Sequence, residues 1–129
     1  MWKILVVDDN FSNRKLILKI LEGRAICDVA ANGEEALEAY NISIKDNKPY
    51  DLILLDIQMP DVDGMQVLQK IREEEKTAGV KVGKEIQIIM VTAHREPFFD
   101  AFKKGCDDYI NKPIRPDMLI ERIEKRLNK

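Results

Sequence analysis

The polar residues of this chain with the most chemical potential stand at the ends of apolar runs. Each follows a run directly: Asp8 and Asp9 after 4–7, Asp56 after 52–55, Thr92 after 88–91, and Lys112 after 109–111. If the runs are parallel strands of one sheet, these residues meet at its carboxyl edge, where open α/β sheets bind ligands. Three carboxylates, one hydroxyl and one lysine there would suit a divalent cation and a phosphoryl group.

The three aspartates indicate a site for a hard divalent cation, Mg²⁺ or Mn²⁺. Magnesium prefers oxygen ligands, and three carboxylates this close repel one another until a cation relieves the repulsion. Asp8 and Asp9 could instead have a structural role, in which they begin a turn and cap the first helix with help from Asn10. Capping does not account for Asp56, which ends a different run.

The same rim has the groups that phosphoryl transfer needs. A carboxylate such as Asp56 can attack phosphorus and give an acyl phosphate. The transfer depends on positioning and charge neutralisation, to which Lys112 contributes a mobile positive charge and Thr92 a hydroxyl. Taken singly, Thr92 could cap a turn and Lys112 could be a solvated lysine, so the argument depends on the whole set.

Five apolar runs alternate with stretches of helical period, which predicts βα units and a parallel sheet. We expect strands near 3–7, 26–30, 52–55, 86–91 and 108–110, with the second at an edge. Helices are expected at 11–21, from Asn32, after Gly64, from Pro97 to Gly105, and from Pro116. Residues 73–84 are interpreted as the fraying end of the third helix plus a surface loop. Right-handed crossovers then give a (βα)5 three-layer sandwich. The pattern alone does not fix the strand order, but the first, third and fourth runs are the most apolar and should be central, which favours the flavodoxin-like order 2-1-3-4-5.

The bulk composition bounds the function. Its 129 residues, 45% of them hydrophobic, suit one domain covering 1–129. A net charge of −2 gives no reason to expect nucleic-acid or membrane binding, and no apolar run approaches the roughly 20 residues of a membrane span. We expect a cytoplasmic protein without a signal peptide, in which Cys27 and Cys106 stay reduced.

Four motifs resemble the response-regulator receiver domain, the CheY-like family, over essentially the whole chain. They are VVDDN at 6–10, LLDIQMPDVDG at 54–64, VTA at 91–93 and GCDDYINKP at 105–113. The resemblance implies that Asp56 is the phosphoacceptor and that Asp8, Asp9, Asp56 and the backbone carbonyl of Gln58 bind the metal. It implies that Thr92, Ala93 and Lys112 contact the phosphoryl group, and that the bond before Pro113 is cis.

The resemblance also implies a switch and its partners. The donor would be a phosphohistidine on a sensor histidine kinase or a phosphotransfer domain. Thr92 and Tyr109 match the family's switch residues, while Gln58 and His94 lie where the family tunes loss of the phosphoryl group by slow hydrolysis. Left unphosphorylated, Tyr109 could equally be a half-buried strand tyrosine.

The family's output surface comprises the fourth helix, the fifth strand and the fifth helix. We expect Phe98 and Phe102 to form a partly exposed aromatic patch with Tyr109 there, although both rings could instead belong to the core. This surface would bind an unidentified target protein or, after phosphorylation, a second copy of the chain.

Two other functions compete with the phosphorylation switch. An aspartyl-phosphate phosphatase of the haloacid-dehalogenase type needs a second acid two residues after the nucleophile. The residue two positions after Asp56 is Gln58, and the residue two positions after Asp9 is Phe11, so that signature is absent. A degenerate receiver used only for docking would not need the intact set of site residues. The chain could be a free-standing regulator or a piece of a hybrid kinase or longer regulator.

Overall fold

A computed structural model describes residues 1–59, 62–93 and 105–127. Its five strands are β1 (Trp2–Val7), β2 (Ala25–Ala30), β3 (Leu52–Asp56), β4 (Gln87–Thr92) and β5 (Asp108–Asn111). The described helices are α1 (Phe11–Leu21), α2 (Gly33–Lys45), α3 (Gly64–Thr77) and α4 (Pro116–Leu127), of which α4 is the predicted fifth helix. The strands form one parallel sheet in the order β2-β1-β3-β4-β5, which confirms the predicted flavodoxin-like topology.

The sheet separates two apolar layers. One contains α2 and α3 packed on alternate strand residues such as Leu5 and Ile53, and the other contains α1 and α4 on residues such as Val6 and Leu54. Strands covered on both faces are apolar at nearly every position, as β1, β3 and β4 are. Because all five strands are parallel, their carboxyl ends reach the same rim of the sheet. None of the described helices is long and apolar enough to span a bilayer.

The helix starts near the rim are capped by residues other than the candidate ligands. Asn10 is the N-cap of α1, and its side chain accepts a hydrogen bond from the Asn13 N–H at 3.0 Å. Asp63 forms a capping box with Gln66 at the start of α3. The alternative in which Asp8 or Asp9 serves as the side-chain cap of α1 is therefore wrong, because Asn10 fills that position.

Two details of the predicted helices need correction. The helical spacing of apolar residues in α1 predicts a buried stripe of Leu16, Ile17, Ile20 and Leu21. The side chain of Leu16 is instead 41% exposed, and Ile17 and Leu21 are the buried residues of the helix. The interpretation of residues 73–84 as a fraying helix end plus a surface loop is confirmed for the loop, since 78–84 are exposed and outside any helix, but α3 does not fray and stays regular to Thr77. Glu75, in this charged stretch, is only 5% exposed.

Glu75 is buried because Arg72 neutralises it. Arg72 Nη1 lies 2.6 Å from Glu75 Oε1, and its Nη2 lies 3.0 Å from Asp107 Oδ2. The same guanidinium donates to the carbonyl oxygens of Gly105 and Ile86, both at 2.9 Å. One arginine thus links α3 to the beginnings of β4 and β5, on the side of the sheet opposite the rim.

Candidate functional site

The rim brings the three predicted carboxylates together. Asp8, Asp9 and Asp56 each offer an oxygen, and these oxygens all lie within 4.8 Å of one another. Asp8 and Asp56 are buried, while Asp9 is exposed. A group of three carboxylate oxygens at this spacing fits the donor set that Mg²⁺ or Mn²⁺ requires.

Lys112 bridges two of these carboxylates. Its Nζ lies 3.2 Å from Asp56 Oδ2 and 3.3 Å from Asp8 Oδ2. Burial, the largest single influence, acts to lower the pKa of Lys112, but the charges of Asp56 and Asp8 outweigh it and leave the pKa above its usual value. Lys112 is therefore a charged member of the site, and the interpretation as a solvated lysine is not what the structure shows.

The surroundings of Asp56 disfavour the charged form of its carboxyl group. Burial, together with the nearby carboxylate of Asp8, raises its pKa from 3.8 to about 6, although the Gln58 N–H and Lys112 act in the other direction. The Gln58 N–H donates to Asp56 Oδ1 at 3.1 Å, while Oδ2 faces Lys112. A buried carboxylate with a raised pKa beside like charges is typical of functional sites.

Asp8 is held by contacts with Asn10 and Arg14, and the sequence analysis did not identify Arg14. Its Oδ1 accepts from the Asn10 N–H at 2.9 Å. Its backbone carbonyl accepts from Arg14 Nη1 at 2.7 Å, and the Arg14 guanidinium lies over the Phe11 ring, 5.7 Å from its centroid. Arg14 lies one turn into α1. The only signal in the sequence for its role is that it stands six residues after Asp8.

Thr92, Ala93 and Gln58 lie around the same rim. Thr92 ends β4 beside the Asp56 strand and is fully buried, and its carbonyl accepts from the Lys112 N–H at 2.7 Å. Ala93 and Gln58 are exposed at the rim. The Lys112–Pro113 bond is cis. Tyr109 is half-buried in β5 and packs against the α2 and α3 layer. His94, Phe98 and Phe102 lie outside the described residues, as does most of the predicted fourth helix.

Gly64 allows α3 to begin directly against the backbone of Asp56. The Gly64 N–H donates to the Ile57 carbonyl at 2.9 Å. A Cβ added to Gly64 would lie 2.2 Å from the Asp56 carbonyl oxygen and 2.8 Å from Ile57 Cα. Both neighbours are backbone atoms, so the segment that carries Asp56 would have to move to make room.

Replacing Gly64 with alanine is expected to lower the free energy of unfolding by about 2 kcal/mol through this overpacking. Urea unfolding would measure the change. Gly79→Ala is the matched control: its Cβ would meet nothing within 4 Å, so only its positive φ of 78° opposes the change. Equal losses in the two variants would contradict the close approach of α3 to Asp56.

Comparison with known proteins agrees with this geometry. The family model described as the response regulator receiver domain matches residues 4–124. The chain is 40% identical over 133 residues to hybrid signal transduction histidine kinase I of Dictyostelium discoideum, covering 98% of this chain and 7% of the kinase. It is 39% identical over 130 residues to the transcriptional regulatory protein ResD of Bacillus subtilis, covering 98% of this chain and 48% of ResD. The chain thus spans less than half the length of these curated relatives.

Solved structures show the same fold. The receiver domain of the histidine kinase CKI1 from Arabidopsis thaliana, in complex with Mg²⁺ and BeF₃⁻, superposes with a TM-score of 0.81 at 28% identity, covering 99% of this chain and 91% of that one. The chemotaxis protein CheY4 of Vibrio cholerae gives 0.81 at 26% identity, with 98% and 99% covered. The chain therefore belongs to the response regulator receiver domain family, the receiver modules of two-component and phosphorelay signalling.

Proposed function

We propose that residues 1–129 form one receiver domain in which Asp56 accepts a phosphoryl group from a phosphohistidine. The donor would be a sensor histidine kinase or a phosphotransfer domain. One observation carries the proposal: Asp8, Asp9 and Asp56 converge within 4.8 Å of one another, and Lys112 bridges two of them. A structural role alone does not require three carboxylates and a lysine at one rim.

In the proposed step a carboxylate oxygen of Asp56 attacks phosphorus in line with the bond to the donor's imidazole nitrogen. The O–P bond forms as the P–N bond breaks, and the bonding pair leaves with the nitrogen, which takes a proton. Asp56 must be deprotonated to attack. Its pKa of about 6 in the cation-free protein leaves it ionised at neutral pH.

The neighbouring residues manage charge during this step. Lys112 already lies 3.2 Å from Asp56 Oδ2, so its ammonium group can follow the phosphoryl oxygens as the acyl phosphate forms. Thr92 and Ala93, at the end of the adjacent strand, would contact the same oxygens. Asp56 is buried, so these interactions act away from bulk water, where they are stronger.

The metal ligands would be Asp8, Asp9, Asp56 and the backbone carbonyl of Gln58. A bound Mg²⁺ or Mn²⁺ would neutralise the charge that gathers on the transferring group. The oxygen donor set supports this assignment, as do two similar receiver domains that were solved with magnesium, from CKI1 and from the sensor histidine kinase PA1611.

Phosphorylation would then act as a switch, with Thr92 and Tyr109 moving toward the new charge. The output is a change in the surface that includes β5, α4 and the predicted patch of Phe98, Phe102 and Tyr109, read by a target protein or a second copy. We expect the protein to act catalytically only on itself, through slow hydrolysis of its own aspartyl phosphate, at a rate tuned by Gln58 and His94.

Intact mass after incubation with acetyl phosphate tests the proposal. The parent protein is expected to gain one phosphoryl group when magnesium is present and none when it is chelated. Asp56→Asn should gain none in either condition. Asp46→Asn is the matched control, because Asp46 is an exposed aspartate at the end of α2, and this variant should be labelled like the parent.

A phosphoryl group that still attaches to Asp56→Asn would refute the assignment of the acceptor. A protein donor covers the case in which acetyl phosphate is too poor a substrate, and a purified phosphotransfer domain carrying phosphohistidine serves this purpose. If the parent accepts nothing from either donor, the docking-module alternative replaces the switch.

A further inference from the structure

The outer edge of β2 is open to another strand. Within the described part of the chain β2 pairs only with β1. The Trp2 N–H donates to the Arg24 carbonyl and the Asp8 N–H to the Ala30 carbonyl, so the even-numbered residues of β2 face β1. In a parallel ladder the odd-numbered residues then direct their backbone groups outward. Ala25, Cys27 and Val29 therefore present three donors and three acceptors at the edge.

Apolar side chains surround this edge. Ile26 is 62% exposed, Val29 is 48% exposed, and Ile42 of α2 is 50% exposed. Val29 and Ile42 line the same surface cavity, together with Ala39. Exposed edges with apolar neighbours are liable to pair with other chains, and many proteins block them with lysine or proline. β2 contains neither residue.

We propose that a second copy of this chain pairs antiparallel with the outer edge of β2, across a twofold axis at Cys27. The axis at Cys27 pairs Ala25 with Val29 of the copy and uses all three outward residues. An axis at Asp28 would place two carboxylates directly opposite each other, which is unfavourable. The two sheets then join into one continuous sheet of ten strands.

The charges on α2 favour this antiparallel arrangement. Glu35 and Glu38 line the cavity beside Val29, at the end of β2 nearest its carboxyl terminus. Lys48 lines the neighbouring cavity beside Cys27, close to Lys45 and Asp46. A twofold axis at Cys27 brings the acidic end of one α2 toward the net basic end of the other. Opposite charges across an interface fix orientation in this way.

This contact differs from the output surface of the proposed function. β2 and β5 are the two outer strands of the sheet, so pairing at β2 leaves the β5 side untouched. The strands of the two copies run in opposite directions, and the two Asp56 sites consequently lie at opposite ends of the joined sheet. We therefore expect the association not to depend on phosphorylation, and it stands or falls apart from the phosphoacceptor role.

Sedimentation equilibrium from about 10 μM to about 1 mM tests for the dimer. The parent is expected to approach twice the monomer mass of 14.9 kDa. Val29→Pro removes an outward N–H and is tolerated on an open edge, and Val29→Lys adds a charge there. Both should stay monomeric. Val82→Pro is the matched control: Val82 is 97% exposed in a turn on another part of the surface, and this variant should behave as the parent does.

Cysteine crosslinking tests the register. Directly opposite residues in a hydrogen-bonded antiparallel pair have Cα atoms about 5.5 Å apart, within the range of a disulfide. Diamide takes two electrons from two thiolates and leaves an S–S bond. Because burial and Asp28 raise the pKa of the Cys27 thiol, the reaction is best run at mildly alkaline pH. Cys106→Ser should crosslink as a dimer, and Cys27→Ser should not.

Three results would overturn the proposal. The mass of the parent could remain at 14.9 kDa over the whole concentration range. The dimer could persist in both Val29 variants. Diamide could fail to crosslink the dimer of Cys106→Ser through Cys27. Cooperative urea unfolding, measured on every variant, shows that each one is folded whether or not it accepts a phosphoryl group. A dimer that is present in the parent and in unlabelled Asp56→Asn supports the β2 contact even if no phosphoryl group is ever accepted.

Discussion

Replacing Asp56 with asparagine is expected to remove all phosphoryl acceptance and still make the cation-free protein harder to unfold. The free energy of unfolding should rise by ~1–2 kcal/mol at neutral pH. The physical reason is the cost of keeping the Asp56 carboxylate charged. It is buried and lies near Asp8, and its pKa of about 6 exceeds the usual 3.8. Asparagine has nearly the same shape and no charge, and Lys112 retains Asp8 as a partner at 3.3 Å.

The pH dependence gives the sign of this effect. A carboxyl group whose pKa is raised by folding binds its proton more tightly in the native state, so its contribution to stability is greatest at low pH. The contribution falls as the pH rises from about 4 to about 6, between the two pKa values. Urea unfolding of the parent and of Asp56→Asn should therefore diverge across this window and agree below it.

Asp46→Asn provides the comparison for removal of an exposed carboxylate, and it should leave the free energy of unfolding nearly unchanged. Magnesium should reverse the order of stability, because the proposed site would bind it in the folded parent through Asp56 and stabilise that state by mass action. A variant Asp56→Asn that is less stable than the cation-free parent at neutral pH would contradict this account of the site.

Replacing Arg72 with methionine is expected to destabilise the protein by roughly 3–5 kcal/mol, since removal of one partner leaves buried charge uncompensated. Glu75 would lose its ion pair at 2.6 Å, and Asp107 its pair at 3.0 Å. The carbonyl oxygens of Gly105 and Ile86 would also lose a charged donor. Methionine preserves most of the apolar stem, so the loss measured by urea unfolding reports the guanidinium group.

Arg115→Met makes the same chemical change at the surface. The Arg115–Asp117 pair is 3.7 Å apart with both side chains more than half exposed, and such pairs contribute about 0–1 kcal/mol. The two variants should therefore differ several-fold in their effect. Similar small losses for both would mean that water replaces Arg72 readily and that Glu75 is not dependent on it.

Sequence reasoning succeeded for the central strands because their burial leaves a local mark. Strands covered on both faces have continuous apolar runs, and the polar residue that ends each run also marks the rim. This is why the topology and the meeting of Asp8, Asp9 and Asp56 could be predicted without coordinates. The open edge of β2 was likewise foreseen from its weaker apolar pattern.

The polar network of α3 could not be predicted in the same way. Arg72 finds Asp107 35 residues further along the chain, and no local period reveals such a partner. A charged helix end was therefore interpreted as solvated. The exposed Leu16 shows the opposite error, because one apolar residue on a helix can face solvent without cost to the fold.

Lys112 has a consequence for how the site responds to its surroundings. Its ammonium group acts as a cation tethered to the protein, so its local concentration beside Asp8 and Asp56 is high whatever the composition of the solution. A dissolved ion that binds there must compete with this tethered charge, which weakly held monovalent ions do poorly. We expect changes in potassium concentration to leave the occupancy of the site unchanged. A divalent ion should bind, because it can contact several carboxylates at once.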